Sequence, residues 1–379
     1  MIKSLYKFCV NDKNDYFFNM KELKVAVVCN EPHPEFYIKS VEHEIKEIDF
    51  VPYFEVEDLT PIEEYEILTE KLNKSGINAY FLNIFDDINI LIQDIKKNKP
   101  DVIFNFIEIY KENSAFEMNV VGLLELLNIP YTGAPPMALA NCQSKVFAKR
   151  LLNSIGIKTP KFTVFKKPAV KYNHNLKFPL IVKPAFEDAS VGIENESIVQ
   201  NNRMLKERID YIFRNFVQPV LVEEFINGRE LNVAILGDTD PRALPISEIT
   251  FDKMPDHLYN IVSYQAKWDP HHESYHKTIP VCPAKLPKNL AAKAQQIALN
   301  SFQFMGARDY ARVDMRLSKD NELYVLEVNP NPDLTEGAGF MRSMEAAGYS
   351  YVKALKKIIE LAWKRGKRNF NSPHIINTK

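Results

Sequence analysis

Long apolar runs are missing from these 379 residues: no stretch approaches the roughly 18 needed to cross a bilayer, so no membrane span and no membrane partner are expected. Net charge is missing as well. The balance of 48 Lys and Arg against 49 Asp and Glu gives −1, which offers no global attraction to nucleic acid or to an anionic surface. Cysteine is sparse, and Cys9, Cys29, Cys142 and Cys282 contain no CxxC pair. They read as free thiols in a reducing cytosol rather than as a disulfide framework or a zinc site. No GxGxxG follows the first strand, and no GxxxxGK[ST] occurs anywhere, which removes the dinucleotide fingerprint and the P-loop. Internal repeats are absent too. The opening residues mix Lys, Asp and Asn with aromatics, which argues against a secretory signal. Met20 is a candidate functional start, because the first convincing strand follows it. The expectation is a cytoplasmic globular protein.

What is present is an alternation of elements too long for one small core, so two or three packed subdomains are expected. After an extension over 1–22, residues 23–140 alternate short apolar strands (24–29, 78–83, 101–106) with amphipathic helices (62–75, 88–98, 116–127). That rhythm predicts an α/β unit with a parallel sheet. A second unit, 141–227, carries a helix at 144–154, strands at 163–165, 180–184 and 221–225, and a helix at 203–214. A third, 228–379, begins with a strand at 230–236 and continues through a long polar loop over 252–278. It then has helices at 288–304 and 351–364, and with the second unit it reads as α+β. The basic end Lys364–Arg368 reads as a solvated tail.

Two segments carry chemistry by their alternation, Ala311–Arg316 and Leu323–Asn329. Each has the period of a half-buried strand, and Ser318–Asn321 between them is turn chemistry, so an antiparallel hairpin is predicted. Pairing Leu317 with Glu322 places Arg312 opposite Glu327, with Asp314 and Asn329 on the same face. Two carboxylates, an amide and a guanidinium then share about 5–8 Å of sheet. Carboxylates that close repel one another, and a hard cation that also binds phosphate oxygens, Mg²⁺ above all, is their natural partner. A solvated hairpin with a surface ion pair is the plain alternative. Upstream, Lys183 ends an apolar strand ahead of the small-residue loop Ala189-Ser190-Val191-Gly192, where a compact cation and loop N–H groups can meet phosphate. Lys145 opens an amphipathic helix and is unremarkable alone. His271, His272 and His276 could hold zinc or nickel, but a mobile lid is the simpler reading of their loop. Nothing nominates a base for Cys282.

Taken in order, IPYTGAPPMALANCQSKVFAK at 129–149, residues 178–192, LVEEFINGRELNVAIL at 221–236, residues 264–268 and residues 311–335 resemble the ATP-grasp superfamily, in particular its D-alanine–D-alanine ligase branch. The resemblance runs from about Leu23 to Trp363 and implies an ATP-grasp fold preceded by a parallel-sheet domain. It implies ATP held by Lys145, Lys183 and Lys267, with adenine recognised at Glu223, Glu224 and Ile226 and ribose at Glu230. Asp314, Glu327 and Asn329 correspond to ligands for Mg²⁺, with Mn²⁺ as the alternative ion. Arg312 and Lys267 correspond to catalytic cations, and Ser190 to one of a pair of catalytic-loop serines. The implied reaction joins a small carboxylate to an amine, amino acids or short peptides, through an acyl phosphate. The related ligases are commonly dimers, so a homodimer is the expectation.

The match is uneven. The family's first loop is rich in Gly and Ser and bears a glutamate, whereas this loop reads Asn30-Glu31-Pro32-His33-Pro34-Glu35. Ala189, Trp268, Asp333 and Ala338 stand where that branch has serine, tyrosine, glycine and serine. The nucleotide half resembles the family and the amino-acid half departs from it, so a different substrate pair is expected. A genuine D-alanine–D-alanine ligase, or an ATP-binding protein that no longer ligates, are the alternatives.

Overall fold

The computed structural model describes residues 23–33, 60–187 and 189–371, with side chains described as far as Arg368. The expectations placed on the N-terminal extension, Met20, Cys9 and Glu35 lie outside the described residues.

A parallel sheet comes first, as the apolar runs require. β1 (Lys24–Cys29) lies between β2 (Asn78–Asn83) and β3 (Val102–Asn105). The intervening helices are cut at fixed points by local chemistry. In α1 (Pro61–Lys74) Thr60 and Glu63 form a reciprocal capping box ahead of a first-turn proline. In α2 (Ile88–Asn98) Asp87 caps the start and Lys99 stops the helix in the left-handed conformation. Next come α3 (Glu117–Leu126) and α4 (Pro136–Gln143). The latter went unread in the sequence because its eight residues show no apolar stripe.

After α5 (Lys145–Ser154) follows an antiparallel sheet of β4 (Phe162–Phe165), β5 (Leu180–Pro184), β6 (Ile198–Val199) and β7 (Val220–Glu224), in the order β4-β7-β5-β6. One face packs on α6 (Asn202–Phe216) through Leu205, Ile209 and Ile212. The third sheet is built on β8 (Gly228–Gly237). β9 (Arg242–Ala243) pairs with it at one end, and β10 (Ser247–Thr250) and β11 (Ile279–Val281) lie beyond one edge. Residues 252–278, expected to be one polar loop, contain two short helices, α7 (Tyr264–Trp268) and α8 (Glu273–Lys277). Ser263 caps the first and the His272 ring caps the second, so that histidine is occupied with backbone. The helix α9 (Lys288–Met305) covers one face of this sheet.

The hairpin joins β12 (Asp309–Ser318) to β13 (Leu323–Asn329), and its register corrects the expectation. Ser318 donates to Glu322 O and Asn321 adopts a left-handed φ of 61°, so three residues form the turn, not four. Leu317 therefore pairs with Leu323 rather than with Glu322. A bulge at Leu326 then shifts the pairing by one more residue, putting Glu327 opposite Asp314 and Asn329 opposite Arg312. Two single slips restore the face, because side chains alternate with period 2. Without the bulge, Glu327 would lie opposite Val313 and point into the core; with it, Val325 and Val328 are both buried there. The last helices, α10 (Gly339–Ala346) and α11 (Tyr351–Asn371), return to the first sheet. Leu355, Ile358 and Ile359 join Val25, Val27 and Phe104 in one core. Asp309 fastens that return, accepting from Gly133 N at 2.9 Å and pairing with Arg365.

Gly228 shows how tightly β8 and β12 are drawn together. A Cβ there would stand 2.0 Å from the Leu317 carbonyl oxygen, a backbone atom that cannot yield cheaply. Gly228→Ala is expected to lower stability by about 2 kcal/mol or more, read from urea unfolding midpoints. An unchanged midpoint would mean that the strands can separate without cost.

Candidate active site

Five strands and two helices bring the proposed chemistry to one place. On β12, Arg312 grips Asp314 with both arms of its fork, Nε to Oδ1 at 2.7 Å and Nη2 to Oδ2 at 2.8 Å. Asn232 of β8, directly across from Asp314, donates to Oδ1 at 2.7 Å, and Asn329 of β13 donates to Oδ2 at 2.9 Å. Glu327 lies beside them with 37% of its side chain exposed, and Asn329 Nδ2 is 3.5 Å from its Oε1. Burial works against ionising Glu327, but Lys145, Lys183, Arg312 and Lys267 together hold its carboxyl down to about 2. It is a carboxylate at any working pH.

The cations arrive from three directions. Lys145, at the first turn of α5, donates to Glu187 O at 2.6 Å and stands 3.8 Å from Glu327 Oε2. One turn on, Lys149 is fully buried. It pairs with Glu223 at 2.6 Å and donates to the Leu326 carbonyl at 3.0 Å, the oxygen of the bulged residue. Lys183 on β5 reaches the other oxygen of Glu223 at 2.5 Å. Burial opposes the charge on Glu223 too, yet Lys149 and Lys183 hold its carboxyl below the usual carboxylate range. Lys267, at the end of α7, lies over the Trp268 ring, and burial away from water, then the charge of Arg312, lower its pKa.

Other expected residues have occupations of their own. Glu230 pairs with Arg316 at 2.7 Å, and Arg316 also donates to Asn260 O, pinning the loop ahead of α7. Glu224 accepts from Lys177 N at 3.0 Å, and Ile226 lies in the short link from β7 to β8. A cavity of about 470 Å³ opens beside that link, lined by Phe225, Asn227, Phe251, Tyr259 and Asn260 rather than by Glu224 or Ile226. Ser190, with a left-handed φ of 64°, donates to Val262 O at 2.9 Å. Trp268 Nε1 donates to Ala189 O at 2.8 Å, so loop and lid meet through an indole and a carbonyl, as the replacement of both hydroxyl-bearing residues requires.

Sequence reasoning passed over Lys149, Asn232 and Arg316. Lys149 had a readable signal, since it follows Lys145 by four residues and shares its helix face. Among the described residues no group of three His, Cys, Asp or Glu side chains could hold a metal, which includes the three histidines. Asp314 and Glu327 supply two hard carboxylates and Asn329 an amide. That set suits a Mg²⁺ ion completing its shell with water and phosphate rather than an all-protein cage. Burial raises the Cys282 thiol above its ordinary value, as expected of an inert cysteine. No helix among the described residues is long and apolar enough to cross a membrane.

Solved structures share this fold. A D-alanine–D-alanine ligase from Bacillus anthracis, crystallised with ATP, superposes with a TM-score of 0.66 at 24% identity, covering 92% of this chain and 99% of that one. The ligase from Coxiella burnetii gives 0.62 at 19% identity, covering 92% and 96%. The fold is that of these ligases, two antiparallel sheets behind a parallel one. The family described as D-ala D-ala ligase C-terminus matches residues 151–360. Among curated relatives, the D-alanine–D-alanine ligase of Aquifex aeolicus is 32% identical over 295 residues, 77% of this chain and 92% of that protein. An uncharacterised protein of Sinorhizobium fredii is 31% identical over 264 residues, covering 70% and 75%. The chain belongs to the D-alanine–D-alanine ligase family of ATP-grasp enzymes, and it is an ATP-dependent ligase.

Proposed function

We propose that this ligase joins an amine to a carboxylate through an acyl phosphate, and that its substrates are not two molecules of D-alanine. The observation that carries the reading is the convergence of Lys145, Lys183, Lys267 and Arg312 on the face that bears Asp314, Glu327 and Asn329. A carboxylate is a poor electrophile. Its oxygen takes the γ-phosphoryl group of ATP, the bond to ADP breaks, and the activated carbonyl can then be attacked by an amine. The new C–N bond forms as phosphate leaves, and the nitrogen sheds a proton.

Such a transfer needs positioning and charge neutralisation rather than a protein nucleophile. Lys145 and Lys183 would hold phosphate oxygens, with Lys183 aimed by Glu223. Asp314, Glu327 and Asn329 would hold Mg²⁺, with Mn²⁺ a possible replacement, and the ion would supply charge neutralisation between the phosphates. Arg312 would face the carbonyl oxygen as negative charge develops on it. Lys267, riding on α7, would complete the phosphate shell as the 252–278 segment closes and water is excluded.

The departure from D-alanine rests on the other half of the site. Ala189 offers no hydroxyl, Trp268 spends its N–H on the Ala189 carbonyl, and Ala338 provides no side-chain cap to α10. Glu31 sits in the first loop, where its backbone exchanges two hydrogen bonds with the Asn83 amide at 2.9 Å each. The test is ADP release from Mg-ATP with amino-acid and dipeptide pairs. Release is expected to depend on an added amine, with a pair other than D-alanine alone giving the highest kcat/KM. Release best supported by D-alanine alone would restore the strict D-alanyl-D-alanine reading, and release indifferent to any amine would end the ligase reading. A homodimer, two small substrates and a cytosolic setting complete the proposal.

A further inference from the structure

One member of the buried stripe of α6 is a cation. Arg208 shares that face with Leu205, Ile209 and Ile212, where a guanidinium is costly unless its N–H groups find partners. It finds them in a single stretch of chain. Nη1 donates to Glu194 Oε2 at 2.7 Å, and Nη2 donates to Gly192 O and to Ser197 Oγ at 2.9 Å each. The Tyr211 ring lies against the guanidinium, 4.5 Å from centre to centre. One arginine of α6 thus grips residues 192–197, the segment that leaves the small-residue loop after β5.

That loop needs to be held. Ala189 and Ser190 take left-handed φ values of 51° and 64° in succession, and such residues persist only where their surroundings over-determine them. From the front the lid supplies three hydrogen bonds: Trp268 Nε1 to Ala189 O, Ser190 Oγ to Val262 O, and Tyr264 N to Ile193 O at 2.7 Å. From behind comes Arg208. The Gly192 carbonyl it grips belongs to the same peptide unit as Ile193 N–H, which donates to Ser190 O at 3.0 Å and closes the turn. Fixing that peptide fixes the turn. The backbone N–H groups of Ser190, Val191 and Gly192 have no hydrogen-bond partner among the described residues, and they are the donors a phosphate takes.

We propose that Arg208 is a positioning residue for the nucleotide phosphates: by clamping the Gly192 carbonyl from behind, it holds the N–H groups of 190–192 ready, without touching ATP itself. A charge-assisted fork suits the task, because it fixes a peptide plane as well as a position. The bond to Ser197 Oγ and the pair with Glu194 brace the arginine against the chain that follows the loop. The inference rests on ATP being the nucleotide of the ligase reading above, but not on which substrates are joined, and it is tested by binding so that the two can fail separately.

Calorimetric titrations would compare Mg-ADP with adenosine, whose difference is the grip on phosphate. Wild-type protein is expected to bind Mg-ADP about ten-fold or more tightly, the scale of hydrogen bonds to a charged group. Arg208→Met, whose unbranched apolar chain suits the stripe of α6, should cut that ratio by about five-fold or more and leave the Kd for adenosine unchanged. Arg208→Lys keeps the charge without the fork and should recover only part of the ratio. In a Trp363→Phe background Trp268 is the one indole left, and its emission should shift in Arg208→Met before any nucleotide is added, because Ala189 O moves with the loop. A merely structural arginine would lower the urea midpoint and leave ratio and emission as they were. That result, full recovery in Arg208→Lys, or a wild type that binds adenosine as tightly as Mg-ADP would each overturn the proposal. Should Arg208→Met fail to fold, Arg208→Lys carries the same comparison, and an unchanged ratio there overturns it equally. Amine-dependent ADP release by the wild type, measured alongside, reports on the ligase reading independently.

Discussion

Replacing Glu327 by Gln should reduce amine-dependent ADP release by about 10³-fold or more, the scale seen when one preorganised electrostatic group is removed from a phosphoryl- or acyl-transfer site. The substitution keeps the shape of the side chain and the bulge behind it. What it removes is one negative charge, and that charge is permanent, because four cations hold the Glu327 carboxyl down to about 2. The loss should therefore be uniform across the working pH range rather than confined to one limb. Binding of Mn²⁺ in the presence of ADP, followed by electron paramagnetic resonance, should weaken in parallel. Acid stability gives a second reading. A carboxyl whose folded pKa is lowered stabilises fully above its ordinary value of 4.5 and loses that contribution as the pH falls towards 2. In the Gln variant this part of the acid limb should flatten. Near-normal turnover, with metal binding intact, would mean that the acidic face of the hairpin is not where phosphate is transferred.

The second large effect concerns stability. Glu223 is 1% exposed and neutralises two ammonium groups, Lys149 at 1% and Lys183 at 10%. Removing it leaves two cations without a counter-charge in the interior, and uncompensated buried charges cost about 3–5 kcal/mol. Glu223→Leu is therefore expected to lose at least that much in urea unfolding, a large share of the 5–15 kcal/mol typical of a folded domain. Lys149→Met should cost less, since Glu223 keeps Lys183. The double variant Lys149→Met/Glu223→Leu should recover part of the loss, because the one ammonium left lies towards the site rim. A loss below about 1 kcal/mol for Glu223→Leu would show that water reaches the cluster and that Lys183 needs no internal anchor.

Much of this was readable in the chain. The period-2 pattern of 311–316 and 323–329 put Arg312, Asp314, Glu327 and Asn329 on one face, and they do share one. The pairing behind that face was misread, because a turn and a bulge each shift register by one residue and the two shifts cancel in side-chain direction. The alternation of the first 140 residues gave the parallel sheet directly, since buried strands and striped helices differ in period. Lys149 was missed because a lysine in an amphipathic helix is ordinarily solvated, and only the approach of β7 and β13 takes this one out of water. The short helices at 264–268 and 273–277 escaped notice because five residues cannot display a stripe.

The extra residue in β13 makes the acidic face a matter of counting. Position 326 needs no particular side chain to do its work; its carbonyl meets Lys149, and its mere presence decides whether the next two polar groups share the face of Asp314 or turn into the core. Exchange of Leu326 for another amino acid should thus be absorbed quietly. Dropping it, or adding one residue between 325 and 327, would turn Glu327 inward while every ligand remained in the sequence. Parity of chain length, invisible to a tally of conserved-looking groups, is the trait that drift in this enzyme would have to preserve.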